Sequence, residues 1–164
     1  MEYLAKFAKL IRGNLNASVD SKISLSQEIS MLDNYLALEK LRFIGGFEYK
    51  ISCDSKMDQQ TIKMPSMLVQ PFVENAVLHG MKDLDYLGLI KVDFTQLSEN
   101  EILITVSDNG KGRDLSILKK SHKSLGMSIT QKRLAHINGQ SSQSYSIEPI
   151  YSASGTKVDI TVVI

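Results

Sequence analysis

The chain has 164 residues, 43% of them hydrophobic, enough to bury one good core, so one domain with an appendage is expected and two full domains are not. Nineteen basic against eighteen acidic residues leave a formal net charge of +1, which gives no global field toward nucleic acid or an acidic membrane surface. The single cysteine, Cys53, excludes an internal disulfide and a thiolate metal cluster and fits a reducing, cytoplasmic setting, and no apolar run approaches the ~18 to 20 residues of a membrane span.

In chain order, Tyr3, Phe7, Leu10, Ile11 and Leu15 recur at helical spacing with Lys6, Lys9 and Arg12 between them, which predicts an amphipathic helix ending within 13–18. Lysines inside that apolar pattern are wrong for a signal peptide. Ser24-Leu25-Ser26-Gln27 has capping-box spacing and opens a second helix through Ile29, Leu32, Leu36 and Arg42, closed by Gly45-Gly46. Two helices joined by a short polar segment form a hairpin over residues 1–43, with apolar stripes that face each other or a second subunit. Beyond Gly46 the period becomes two, with Phe47, Tyr49, Ile51 and Cys53 on one face of a half-buried strand. A short strand is expected at Ile62 to Met64. A buried helix follows from Met67 through Phe72, Val73, Ala76 and Val77 to Gly80, with Pro71 in its first turns. Strands at Leu89 to Gln96 and Glu101 to Ser107 pair through the turn Ser98-Glu99-Asn100. Residues 108–123 lack periodicity, a helix is expected from Ser124 to Ile137, and strands are expected at Ser144 to Glu148 and Thr156 to Ile164. The fold class is therefore α+β, a two-layer sandwich with a mixed, mostly antiparallel sheet over residues 44–164, preceded by the helical hairpin.

Three polar features interrupt this pattern. Asn75 and His79, four residues apart, share one face of an otherwise apolar helix; each alone is more often a satisfied structural group than a ligand. Asp108-Asn109-Gly110-Lys111-Gly112 directly follows a strand, and alone is ordinary turn chemistry. Ser124-Leu125-Gly126-Met127 offers a helix start where glycine lets backbone N–H groups approach an anion.

In this order the three resemble the N, G1 and G2 boxes of the ATPase superfamily that includes gyrase B, Hsp90, MutL and the histidine kinases. The stretch Met67-Leu68-Val69-Gln70-Pro71-Phe72-Val73-Glu74-Asn75-Ala76-Val77-Leu78-His79-Gly80 resembles the N box of LytS-type sensor kinases. Leu32 to Phe43 is similar to the helix that precedes the ATPase domain in that family, and Gln131-Lys132-Arg133-Leu134 and Gly155-Thr156 match downstream. The sequence departs from the family pattern at Pro71, Leu78 and Ser124.

The resemblance implies a histidine kinase-like ATPase fold that binds ATP and Mg²⁺. Asp108 would accept the adenine amino group, Gly110 and Gly112 would let the backbone pass close to base and ribose, and Thr156 would add a hydroxyl. Gly126 would sit at the phosphates, His79 would approach them, and the amide oxygen of Asn75 would be the metal ligand. Residues 113–123, with Lys119, Lys120 and Lys123, would form a lid, although each lysine alone reads as solvated. Glu74 is the candidate general base. The implied reaction is transfer of the γ-phosphoryl group of Mg·ATP to a histidine outside this chain, because His79, His122 and His136 do not match the family's acceptor stretch. The implied partners are a response regulator of LytTR type and a second copy joined through the N-terminal helices, with the parent protein anchored in the cytoplasmic membrane and this part in the cytoplasm. The alternatives are a degenerate nucleotide-binding and dimerisation module, and an ATP hydrolase or serine kinase of the same fold.

Overall fold

Ser24 sets where the first described helix begins. In the computed structural model, which describes residues 22–43, 46–112, 145–152 and 155–163, the Ser24 side chain accepts from the Gln27 N–H and the Gln27 side chain accepts from the Ser24 N–H at 2.8 Å. The expected capping box is thus formed, and helix α1 runs Leu25–Arg42. Two further first-turn N–H groups are taken up by loop carbonyls, Leu25 by Ile62 and Ser26 by Gln59, both at 2.9 Å. The helix expected over 3–15, the loop 113–123 and the helix 124–137 with Gly126 lie outside the described residues.

Strand β1 (Lys22–Ser24) leads into α1 and pairs antiparallel with β3 (Lys63–Pro65) as a separate two-stranded ribbon. The strand expected at 62–64 exists, one residue later, but it does not join the main sheet. That sheet contains β2 (Phe47–Cys53), β4 (Gly88–Ser98), β5 (Glu101–Asp108), β6 (Tyr145–Ser152) and β7 (Gly155–Val163), in the order β2-β4-β5-β7-β6. Only β2 and β4 are parallel; the other neighbours are antiparallel. The sheet is mixed and mostly antiparallel, as the alternation and the 98–100 turn predict.

Alternation also sorts the faces. Ile90, Val92 and Phe94 of β4, Ile102, Ile104 and Val106 of β5, and Val158, Ile160 and Val162 of β7 point into one buried cluster. Leu25, Leu32 and Leu36 of α1 enter the same cluster, so this helix and the sheet share one core. The opposite face carries Lys91, Thr95, Thr105, Lys157 and Asp159, with Thr105 donating to Asp159 at 2.7 Å across the strands. Among the described residues, no helix is long and apolar enough to cross a membrane.

The segment after β3 forms helix α2, Gln70–Asn75, which continues as a wider π-turn over Ala76–Gly80. The sequence pattern predicts a single helix here; the difference is the Met81 N–H reaching back to the Ala76 carbonyl at 3.1 Å. Phe72, Val73, Ala76 and Val77 fill the core beneath the C-terminal end of β5.

Candidate functional site

The end of β5 lies beside the start of β7 and a neighbouring position of β4: Asp108 is paired in register with Thr156 and with Ile90. Helix α2 and its π-turn cross this end of the sheet, and a cleft open to solvent lies between them. Phe72, Ala76, Val106 and Val158 form its apolar walls, and Asn75, His79, Asp108 and Thr156 supply polar groups, with Gly80 and Gly112 bringing backbone to its edge. Five of the residues singled out in the sequence, Asn75, His79, Asp108, Gly112 and Thr156, are therefore brought together from segments remote in the chain.

Asp108 is the most constrained of them. It accepts the Gly110 N–H at 2.9 Å and the Thr156 backbone N–H. Burial raises its pKa above the ordinary carboxylate value, against the lowering effect of those two N–H groups. A carboxylate has about four lone-pair sites, so these two bonds leave acceptor capacity for a ligand donor.

Glycines make this placement possible. A Cβ on Gly80 would stand 2.8 Å from Asp108 Oδ1, so the carboxyl group packs directly on the end of the π-turn. A Cβ on Gly110 would stand 2.2 Å from the Gly80 carbonyl oxygen, and one on Gly155 2.1 Å from the Asp108 carbonyl oxygen. Gly155 has φ +125°, which side-chain-bearing residues rarely adopt. Gly110 is buried against Gly80 and is not among the cleft's lining residues; its close approach is to helix backbone. The sequence marks Gly80 as a helix end within the N-box stretch and Gly155 as part of the family match, but the need for a missing Cβ at each arises from segments distant in sequence.

Asn109 belongs to the turn singled out in the sequence, but its bonding role is not legible there. Its side chain accepts the Leu89 N–H at 2.6 Å and donates to the Leu87 carbonyl at 3.3 Å, while Tyr86 donates its hydroxyl to the Asn109 carbonyl at 2.7 Å. These bonds tie the turn after β5 to the segment entering β4. Glu74 lies outside the lining residues and accepts from Gln70 Nε2 at 2.8 Å. His79 is exposed at the rim. Among the described residues no hydrogen bond occupies the Asn75 side-chain amide, and no group of three His, Cys, Asp or Glu could hold a metal ion. A hard cation in the cleft would therefore take most of its oxygen ligands from its own ligand and from water, with the Asn75 amide oxygen as a protein contribution.

Comparison with known proteins bears on the family and the fold. A family model described as Histidine kinase matches residues 1–47. LytS of Bacillus subtilis (strain 168), a sensor protein, is 31% identical over 121 residues, covering 73% of this chain and 20% of that protein. YwpD of the same organism is 33% identical over 144 residues, covering 84% of this chain and 51% of that protein. The chain thus spans about half the length of one such relative and about a fifth of the other. Among solved structures, the histidine kinase domain of the blue-light activated kinase EL346 of Erythrobacter litoralis superposes with TM-score 0.67 at 16% identity, covering 99% of this chain and 75% of that one. The catalytic domain of histidine kinase ThkA superposes with TM-score 0.59 at 14% identity, covering 87% and 93%. The fold class is that of histidine kinase catalytic domains.

Proposed function

The chain belongs to the LytS-type sensor histidine kinases, and on that premise we propose that its cleft binds Mg·ATP and presents the γ-phosphoryl group to a histidine on another segment or chain. The observation that carries this reading is the convergence of Asn75, His79, Asp108, Gly112 and Thr156 on one half-apolar cleft. The residues fit the ligand. An apolar slot between Phe72, Ala76, Val106 and Val158 suits a planar base, and the spare acceptor capacity of Asp108 selects an exocyclic amino donor. Guanine presents a carbonyl oxygen at the corresponding ring position, which would face the same carboxylate and be repelled.

In this reading Asp108 orients the base, Thr156 adds a hydroxyl at its edge, and Gly112 lets the backbone turn beside it. Asn75 holds the metal through its amide oxygen at the polar mouth, and His79 lies on the phosphate side. Gly126 belongs to the phosphate site as the resemblance assigns it. Bound Mg·ATP supplies the transferable phosphoryl group; the protein contributes positioning and charge neutralisation. Glu74 is better placed to fix α2, through Gln70, than to act as a base. We further assign to the whole protein a LytTR-type response regulator as receiver, a dimer built through the region 1–43, and attachment to the cytoplasmic membrane.

The test is phosphotransfer. The chain extended upstream to include its acceptor helix, incubated with radiolabelled Mg·ATP, should gain acid-labile, base-stable phosphate. Release of free phosphate with no labelled histidine would instead favour a hydrolase of the same fold.

A further inference from the structure

Helix α2 carries Asn75, and its N-cap residue, Val69, makes no side-chain cap bond, while the Phe72 N–H closes locally on the Val69 carbonyl at 3.0 Å. The N–H groups of Val69 itself and of the turn before it find their acceptor on α1. Glu28, 1% exposed, accepts the Met67 N–H at 3.2 Å through Oε2 and the Val69 N–H at 3.0 Å through Oε1. Met67 holds φ +57°, an uncommon conformation for a residue with a side chain, and it sits at the turn that delivers both N–H groups to one carboxyl. The start of α1 is in turn tied to the segment before α2, through the β1–β3 ribbon and the bonds from Leu25 and Ser26 to Ile62 and Gln59. Further along, the Tyr35 phenol of α1 is raised in pKa by burial first, then by the charges of Glu39 and of Glu74 on α2. The two helices are thus linked by hydrogen bonds at the entry to α2.

We propose that Glu28 is a positioning residue for the nucleotide site: by capping α2 from α1 it sets the depth and rotation of the helix that presents Asn75 to the metal. The inference rests on the nucleotide reading above. Its consequence is that displacement of α1 changes the metal-dependent part of nucleotide affinity, while the base site built on Asp108 and β5 stays intact.

The experiment compares Glu28→Gln with the unaltered chain and with Phe94→Leu, a core change on β4 that serves as a stability control. Glutamine has one side-chain oxygen, so one of the two N–H groups loses its acceptor while the volume is kept. Affinity for ATP is measured by calorimetry with Mg²⁺ and with EDTA. Glu28→Gln should reduce the advantage given by Mg²⁺ by roughly fivefold or more, within the usual range for coupled sites, and leave the EDTA value within about twofold. Phe94→Leu should lower Tm and leave both values unchanged. An undiminished Mg²⁺ advantage in Glu28→Gln would overturn the proposal, as would an equal loss in the control. Should Glu28→Gln not fold, Glu28→Asp, which keeps both oxygens on a shorter stem, is held to the same two outcomes. Amide hydrogen exchange without nucleotide separates the two readings. Faster exchange confined to residues 67–75 in the Glu28 variant supports the cap even if no chain binds ATP, a result that would sink the nucleotide reading alone. Unchanged exchange there sinks the cap.

Discussion

Replacing Gly80 with alanine sets two physical effects against each other. Alanine is favoured over glycine in a helix interior by roughly 0.5–1 kcal/mol, so propensity alone predicts a more stable protein. The structure predicts damage to the site: the new Cβ would stand 2.8 Å from Asp108 Oδ1 and 2.9 Å from its Cγ. Relaxed carbon contacts lie at about 3.5–4.0 Å, so the carboxyl group would have to retreat by roughly 0.7 Å or rotate. Either movement disturbs the bond from the Gly110 N–H, now 2.9 Å, and shifts the acceptor assigned to adenine. Hydrogen bonds to a charged group contribute about 1.5–3 kcal/mol, so losing the one to adenine weakens ATP binding by roughly 10- to 150-fold. Calorimetric titration with Mg·ATP and a thermal melt on the same preparation read both quantities. A raised Tm with unchanged Kd would refute the reasoning, because propensity would then have acted without any clash at Asp108.

Asp108→Asn should abolish the preference for adenine while leaving Tm at neutral pH unchanged or raised. The sign follows from a carboxyl pKa raised by folding: its stabilising contribution is present at low pH and lost as pH rises through the folded value. The stability gap between variant and parent should therefore narrow toward acid, as denaturant melts across pH would show; a gap that widens toward acid contradicts the burial argument. Asn75→Ala should remove the affinity difference between ATP with Mg²⁺ and ATP with EDTA, and retention of that difference in paired titrations would exclude the metal assignment. Asn109→Ala removes the acceptor of the Leu89 N–H and the donor to Leu87, both solvent-exposed bonds, and should lower unfolding free energy by about 0.5–1.5 kcal/mol in urea; a change within experimental error would show that the turn holds itself.

Much of this architecture was legible because it is local. The Ser24–Gln27 box lies within one helical turn, and the alternation in 88–98, 101–108 and 155–163 is a direct record of which face is buried. The hairpin turn at Ser98 to Asn100 and the polar break at Asn75 needed only neighbours in sequence to be noticed. What escaped depends on distant segments. Lys22 to Ser24 is a strand only because it meets Lys63 to Pro65, and neither the pairing of these two short stretches nor their separation from the main sheet leaves a periodic signal. The π-turn at Ala76–Gly80 has no signature in the apolar spacing, which fits a regular helix equally well. Nothing in the sequence singles out Glu28, yet it is buried and accepts two backbone N–H groups from residues about forty positions away. Glu74 stands beside Asn75 in the sequence, but helical spacing turns its side chain away from the Asn75 face, and in the structure it is bonded to Gln70 and is not among the cleft's lining residues.

The central claim is that the cleft at Asp108 selects an adenine nucleotide, and calorimetric titration of the chain with Mg·ATP and, separately, with Mg·GTP tests it most directly. The account predicts saturable heat with one ATP per chain and no comparable heat with GTP. A folded chain that gives no heat with ATP, or equal heat with both nucleotides, would contradict it.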